Sequence, residues 1–147
     1  MTCAELARSL YEAYQRRDWD GAGALLHPEA TLDMPATGER LVGHDELLGF
    51  QRKYPEPWGN LSVMRVVGGD GTAGPAAVEV EIVGPAARFR MAAFWECREG
   101  LLERGVEYWV TVGGDLPLPG REQHPWAAPA ETTGAPPGER PDREQIR

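Results

Sequence analysis

Apolar positions recur every three to four residues near the start of the chain and every second residue after position 60, so helices should precede strands. Thr2-x-x-Glu5 is a capping-box signature, and Leu6, Leu10, Ala13 and Tyr14 then fall on one face of a first helix reaching about Arg17. Asp18 can cap a short second helix carrying Trp19, Ala22, Leu25 and Leu26, which His27-Pro28 stops. Ala30 to Met34 reads as a short strand ending at Pro35, and Gly38 to Gly43 as a loop. A third helix runs from about His44 to Lys53, with Pro55-Glu56-Pro57 closing it. Strands follow at Asn60–Val67, Ala77–Val83, about Ala87–Arg98 and Leu101–Val112, separated by glycine-rich or Gly-Pro turns. Three helical segments followed by an antiparallel meander define an α+β protein whose helices cover one face of a curved sheet.

The last two strands carry the most distinctive segment. Phe94 to Arg98 and Leu101 to Trp109 flank a tight Arg-Glu-Gly turn, and period-two alternation places Gly105, Glu107, Trp109 and Thr111 on one face. Val106, Tyr108 and Val110 take the other. If the first face lines a cavity, Glu107 is a desolvated acid among aromatic side chains and is suited to proton transfer. The bland alternative is an ion pair across the sheet with Arg65, Arg88 or Arg90.

Composition narrows the setting. The 147 residues suit one domain with a sizeable core, and the net charge of −8 argues against nucleic acid or an anionic membrane as partner. No apolar run approaches a membrane span, and Met1-Thr2-Cys3-Ala4-Glu5 lacks the basic and apolar regions of a secretory signal. Cys3 and Cys97 are far apart in sequence, so reduced thiols and a cytoplasmic location are expected. His27, His44 and His124 show no ligand spacing, so no metal and no cofactor is expected. Seven of the 13 prolines fall after Gly113 (117, 119, 125, 129, 136, 137 and 141). Residues 1–113 are therefore read as the folded domain and 114–147 as a Pro/Gly-rich tail, extended or disordered from about Ala130. Its nearer part, Leu116 to Trp126, can fold back over the domain. A high content of Ala, Gly, Pro and Arg beside the single Lys53 suggests a GC-rich bacterial source.

The order of motifs is itself informative. Arg16-Arg17-Asp18-Trp19-Asp20-Gly21, Leu25 through Pro35, Gly43-His44-Asp45-Glu46-Leu47, Phe94-Trp95-Glu96 and Glu107-Tyr108-Trp109 together resemble the nuclear transport factor 2-like (NTF2-like) superfamily, and within it the SnoaL-like polyketide cyclase branch. The similarity spans about residues 4 to 113. It implies a cone in which a curved antiparallel sheet and three N-terminal helices enclose a pocket, and a homodimer formed through the open sheet face. The fold hosts isomerases, cyclases, epoxide hydrolases, dehydratases and binders, so it does not fix function. In ketosteroid-isomerase relatives a general-base Asp, an oxyanion-binding Tyr and a protonated acid would fall at Met34, Leu10 and about Ala93, with Tyr11 one residue off. All three groups are missing from those positions. In limonene-epoxide-hydrolase relatives the catalytic Asp of the last strand aligns with Glu107. Their Arg-x-Asp pair falls near Glu79-Val80-Glu81, where the Arg is absent.

Glu107 is thus the candidate acid–base residue. Met34, Phe50, Met64, Phe89, Met91, Trp95 and Trp109 would wall a cavity for a flat apolar molecule, because Met adapts its shape and aromatic rings stack. Tyr14 and Tyr54 would donate hydrogen bonds at its mouth, and His124 could lid it. Glu79 and Glu81 should face solvent or a dimer partner. The expected function is cofactor-free acid–base chemistry of secondary metabolism, such as cyclisation, epoxide opening, isomerisation or dehydration, on a hydrophobic polyketide-like or aromatic substrate. The alternative is a non-catalytic binder that sequesters an apolar metabolite.

Overall fold

The computed structural model describes residues 1–54, 59–121 and 124–126. Its elements are α1 (Cys3–Arg16), α2 (Trp19–Gly23), β1 (Leu26–Met34), β2 (Glu39–Val42), α3 (His44–Arg52), β3 (Asn60–Val67), β4 (Ala76–Val83), β5 (Arg88–Arg98) and β6 (Leu101–Thr111). The capping box holds as read: Glu5 N–H donates to the Thr2 hydroxyl and Thr2 N–H to the Glu5 carboxylate. Arg17 ends α1 in the left-handed region at φ 59°. Asp18 caps α2, its carboxylate accepting from Gly21 N–H at 2.9 Å.

The six strands form one curved, unclosed sheet in the order β2-β1-β6-β5-β4-β3. The meander from β3 to β6 is antiparallel, as the period-two pattern predicts. Two features depart from the sequence reading. The expected loop at Gly38–Gly43 contains β2, which pairs with β1 through Thr31↔Val42 to Met34↔Glu39. A four-residue edge strand is too short to show an alternation. β1 also begins earlier than Ala30 and pairs with β6 in parallel, with a register shift between Leu26 and Thr31. That shift accommodates Pro28, which has no N–H for the ladder. Pro55-Glu56-Pro57 and the tail beyond Trp126 lie outside the described residues.

Helix α1 lies across the concave face of β3 and β4, burying Leu6, Ala7, Leu10, Tyr11, Ala13 and Tyr14. Helix α3 packs on β1 through Leu47 and Leu48. On the sheet, Val78, Val80 and Ile82 of β4 and Met91, Ala93 and Trp95 of β5 face this core. Trp95 lies flat over Gly105 on β6, where an added Cβ would fall about 2.6 Å from its ring atoms. The absence of a side chain at 105 therefore sets how closely Trp95 can approach the sheet.

The two cysteines correct the expectation of free thiols. Cys3, at the start of α1, and Cys97, near the end of β5, form a disulfide with their Cα atoms 5.8 Å apart. Spacing in sequence carried no trace of this, because the contact arises only when α1 docks on the sheet. The loop between β3 and β4 wraps the bond, accepting from Cys3 N–H at Gly71 O and from Cys97 N–H at Ala73 O. The premise of a reducing compartment falls with the free thiols. Among the described residues no helix is long and apolar enough to cross a membrane.

Candidate functional site

The concave face of the sheet, α1, the β1–β2 turn and the end of α3 enclose a cavity of about 470 Å³. That volume is within the range of small-molecule sites, ~300–1,000 Å³, so the core side chains do not fill the cone. Tyr14, Met34, Phe50, Tyr54, Phe89, Met91, Glu107 and Trp109 all line it, as the sequence reading placed them. Tyr11, Glu39, Gln51 and Thr111 join them from positions that reading had not chosen.

Glu107 is only 1% exposed and is held from both sides. Tyr11 donates its hydroxyl to Oε2 at 2.8 Å, and Trp109 donates Nε1–H to Oε1 at 3.2 Å. Behind Tyr11, Trp95 donates Nε1–H to the Tyr11 oxygen at 3.0 Å. The chain runs Trp95 to Tyr11 to Glu107, and an indole can only donate. The indole bonds therefore have a fixed direction, and the ionised Glu107 accepts from Tyr11. Burial pushes the Glu107 carboxyl above its ordinary value, while the bonds from Tyr11 and Trp109 pull it partly back. Burial and the neighbouring carboxylate push the Tyr11 and Tyr14 phenols upward, so both stay neutral donors.

The bland alternative for Glu107 is removed by strand alternation. Arg65 and Arg90 lie on the opposite face with Glu79, at 3.6 and 3.7 Å, and Arg90 and Arg88 reach Glu81 at 2.8 and 3.8 Å. This also corrects the exposure expected for Glu81. It is buried, because Arg88 and Arg90 of β5 fold over it, whereas Glu79 keeps partial exposure. Neither reaches the cavity, so an epoxide-hydrolase-type triad is not assembled around Glu107.

Three residues expected at the cavity lie elsewhere. The β3–β4 register steps between Val63 and Arg65, leaving Met64 without a cross-strand partner and outside the cavity lining. Trp95 faces inward but sits behind Tyr11, so it touches the site only through that hydroxyl. His124 is exposed and does not line the cavity. The nearer tail does return to the domain, but onto the other face of the sheet, where the Trp126 ring lies 5.0 Å from the Arg90 guanidinium carbon.

Tyr11 is the functional group the sequence reading missed. The relatives' tyrosine corresponds to Leu10, one residue from the phenol, yet Leu10 is wholly buried in the core and Tyr11 carries the hydroxyl to Glu107. The usable signal was spacing. Cys3, Ala7, Tyr11 and Tyr14 follow the three-to-four repeat of one helix face.

Removing that hydroxyl has a defined expected outcome. Tyr11→Phe deprives a buried carboxylate oxygen and a buried indole N–H of their partner at once. Stability should fall by about 1–3 kcal/mol in urea unfolding. The loss of a donor to the ionised form should also raise the Glu107 pKa further. A carboxyl titration unmoved by this variant would show that the bond is not made.

Comparison with known proteins agrees with this architecture. The family model described as a SnoaL-like domain matches residues 7–105. A Kribbella flavida protein provisionally described as a ketosteroid isomerase superposes with a TM-score of 0.72 at 33% identity, covering 86% of this chain and 90% of its own. An NTF2-like protein of unknown function from Burkholderia xenovorans gives 0.66 at 22% identity, over 79% and 86%. An epoxide hydrolase of the LEH-like kind from M. tuberculosis gives 0.58 at 19% identity, over 72% and 80%. No curated protein matches the chain.

Proposed function

The chain belongs to the SnoaL-like family, within the NTF2-like superfamily, and from that premise we propose that its cone is a small-molecule enzyme site doing cofactor-free acid–base chemistry. The observation that supports this best is a buried carboxylate facing a ligand-sized apolar cavity with both of its oxygens accepting hydrogen bonds. Such a group has the features of a general base: its raised pKa increases its basicity, and Tyr11 and Trp109 fix its direction. Phe50, Phe89 and Trp109 offer flat faces, and Met34 and Met91 adaptable ones, for a polyketide-like or aromatic substrate. Positioned proton transfer typically supplies ~10²–10⁴-fold, so orientation by these walls must supply much of the remaining acceleration.

Cyclisation, isomerisation, epoxide opening and dehydration all begin with a proton moved at one site, and all fit a single carboxylate. Incubating the protein with apolar epoxides, unsaturated ketones and poly-β-ketones, with mass spectrometry as readout, tests the reading. One class should be consumed without added cofactor, and a Glu107→Gln protein should leave it intact. A ligand retained tightly and never converted would favour the second reading, a sequestering protein. That reading draws its support from Tyr11, whose hydroxyl is already engaged by Trp95 and Glu107 and so offers no second catalytic group to a ligand.

The proposal includes a homodimer through the sheet. On the face away from the cavity, Phe94 and Tyr108 pack edge to face at 6.1 Å and are about half exposed, with Val110 beside them. Exposed aromatic pairs of this kind are typical of interface centres.

A further inference from the structure

We infer that the molecule this cavity accepts carries a positive charge, a protonated or quaternary amine on an apolar, aromatic-sized body. The inference starts from the directions of the hydrogen bonds around Glu107. Trp95 Nε1–H occupies the Tyr11 oxygen, so the one hydrogen of Tyr11 goes to Glu107 Oε2, and Trp109 Nε1–H goes to Oε1. Both oxygens therefore accept from donors already in place. Both donors favour the ionised form, against the burial that opposes it, so the charge is oriented but left uncompensated.

An ionised carboxylate this deeply buried normally has a cationic partner. Here the described residues provide none. No Arg, Lys or His lines the cavity, and Arg65, Arg88 and Arg90 are engaged on the far side of the sheet. The other carboxylate lining the cavity adds the same sign of charge: Glu39, exposed on β2.

The apolar walls reinforce the same sign. Phe50, Phe89 and Trp109 present aromatic rings, whose faces are electron-rich and attract cations. The donors that flank Glu107, Tyr11 and Trp109, are spent on it, so an anionic ligand beside them would meet a carboxylate and π-faces. A cation is the one kind of ligand charge that removes the cost of the buried carboxylate instead of adding to it. The net charge of −8 would steer such a molecule toward the protein.

This deepens the proposed function, since it rests on Glu107 being the ligand-facing group of the cavity, and it is tested by binding alone. Calorimetry with the full chain at pH 8 should compare benzyltrimethylammonium with its neutral isostere neopentylbenzene and with phenylacetate. The cation should bind at least about tenfold tighter than the neutral isostere, and phenylacetate more weakly than either. Glu107→Gln, with its fold checked by near-ultraviolet circular dichroism, should abolish the preference, so that the cation binds no tighter than neopentylbenzene. Equal affinity of the cation and its isostere for the native chain overturns the inference whether or not the variant folds. Tighter binding of phenylacetate also overturns it. The proposed acid–base role is measured separately, because loss of turnover in Glu107→Gln without any charge preference would sink this inference and spare that role.

Discussion

Glu107→Gln is expected to lower turnover by roughly 10²–10⁴-fold, the usual worth of a positioned acid–base group. The amide matches the carboxylate in shape but cannot take a proton at catalytic strength. It also has one accepting oxygen where the native side chain has two, so either the Tyr11 hydroxyl or the Trp109 N–H loses its acceptor. Folding should nonetheless survive. A carboxyl whose pKa is raised by folding contributes its stability at low pH and loses it as the pH climbs from the ordinary value of 4.5 through the raised one. Native protein should therefore fall in stability relative to Glu107→Gln as the pH climbs across that window. Melting temperatures of the two proteins measured in parallel across this range check the sign. A native protein that gains stability relative to the variant with rising pH would mean that the carboxylate is net favoured by its surroundings.

The second large effect concerns the Cys3–Cys97 disulfide, which joins residues 94 apart in sequence. A Cys3→Ser/Cys97→Ser protein should lose about 2–5 kcal/mol of stability, because the crosslink restricts the unfolded chain. The bond anchors α1 to β5, the same two elements that supply Tyr11 and Trp95 to the site. Cys3 lies two helical turns before Tyr11, and Cys97 two residues beyond Trp95 on the same face of the strand. Urea unfolding with and without reductant reads the effect directly. Coincident midpoints for oxidised and reduced native protein would contradict the disulfide's role.

The sheet was legible wherever burial was one-sided. β3, β4 and β5 alternate between a buried, mainly apolar face and a more polar outer one, β6 alternates with Glu107 inward and Tyr108 outward, and the limits of all four agree with the expected ones to within a residue. β2 escaped notice because four residues at an edge, two of them Glu39 and Arg40, contain no periodic apolar signal. Only the last five residues of β1 read as strand in the sequence, since His27-Pro28 is locally a stop, although the parallel partner β6 tolerates Pro28 at a register shift.

Within the site, Glu107, Phe89, Met91 and Trp109 followed from strand alternation, given a concave face to bury them. Met64 did not, because a bulge removes it from the alternation on which its placement depended. Tyr11, the disulfide and the Arg88–Arg90 cover over Glu81 share a different cause. Each depends on how α1 docks or how long side chains cross the sheet, and neither is written into the period of any one element.

The most direct measurement of the central claim is a ¹³C titration of the Glu107 side-chain carboxyl in the native chain, with Tyr11→Phe alongside. A buried carboxyl held by Tyr11 and Trp109 at an apolar cavity should titrate above the ordinary value of 4.5, and higher still in Tyr11→Phe. A Glu107 carboxyl that titrates at or below 4.5, unaltered by Tyr11→Phe, would contradict it.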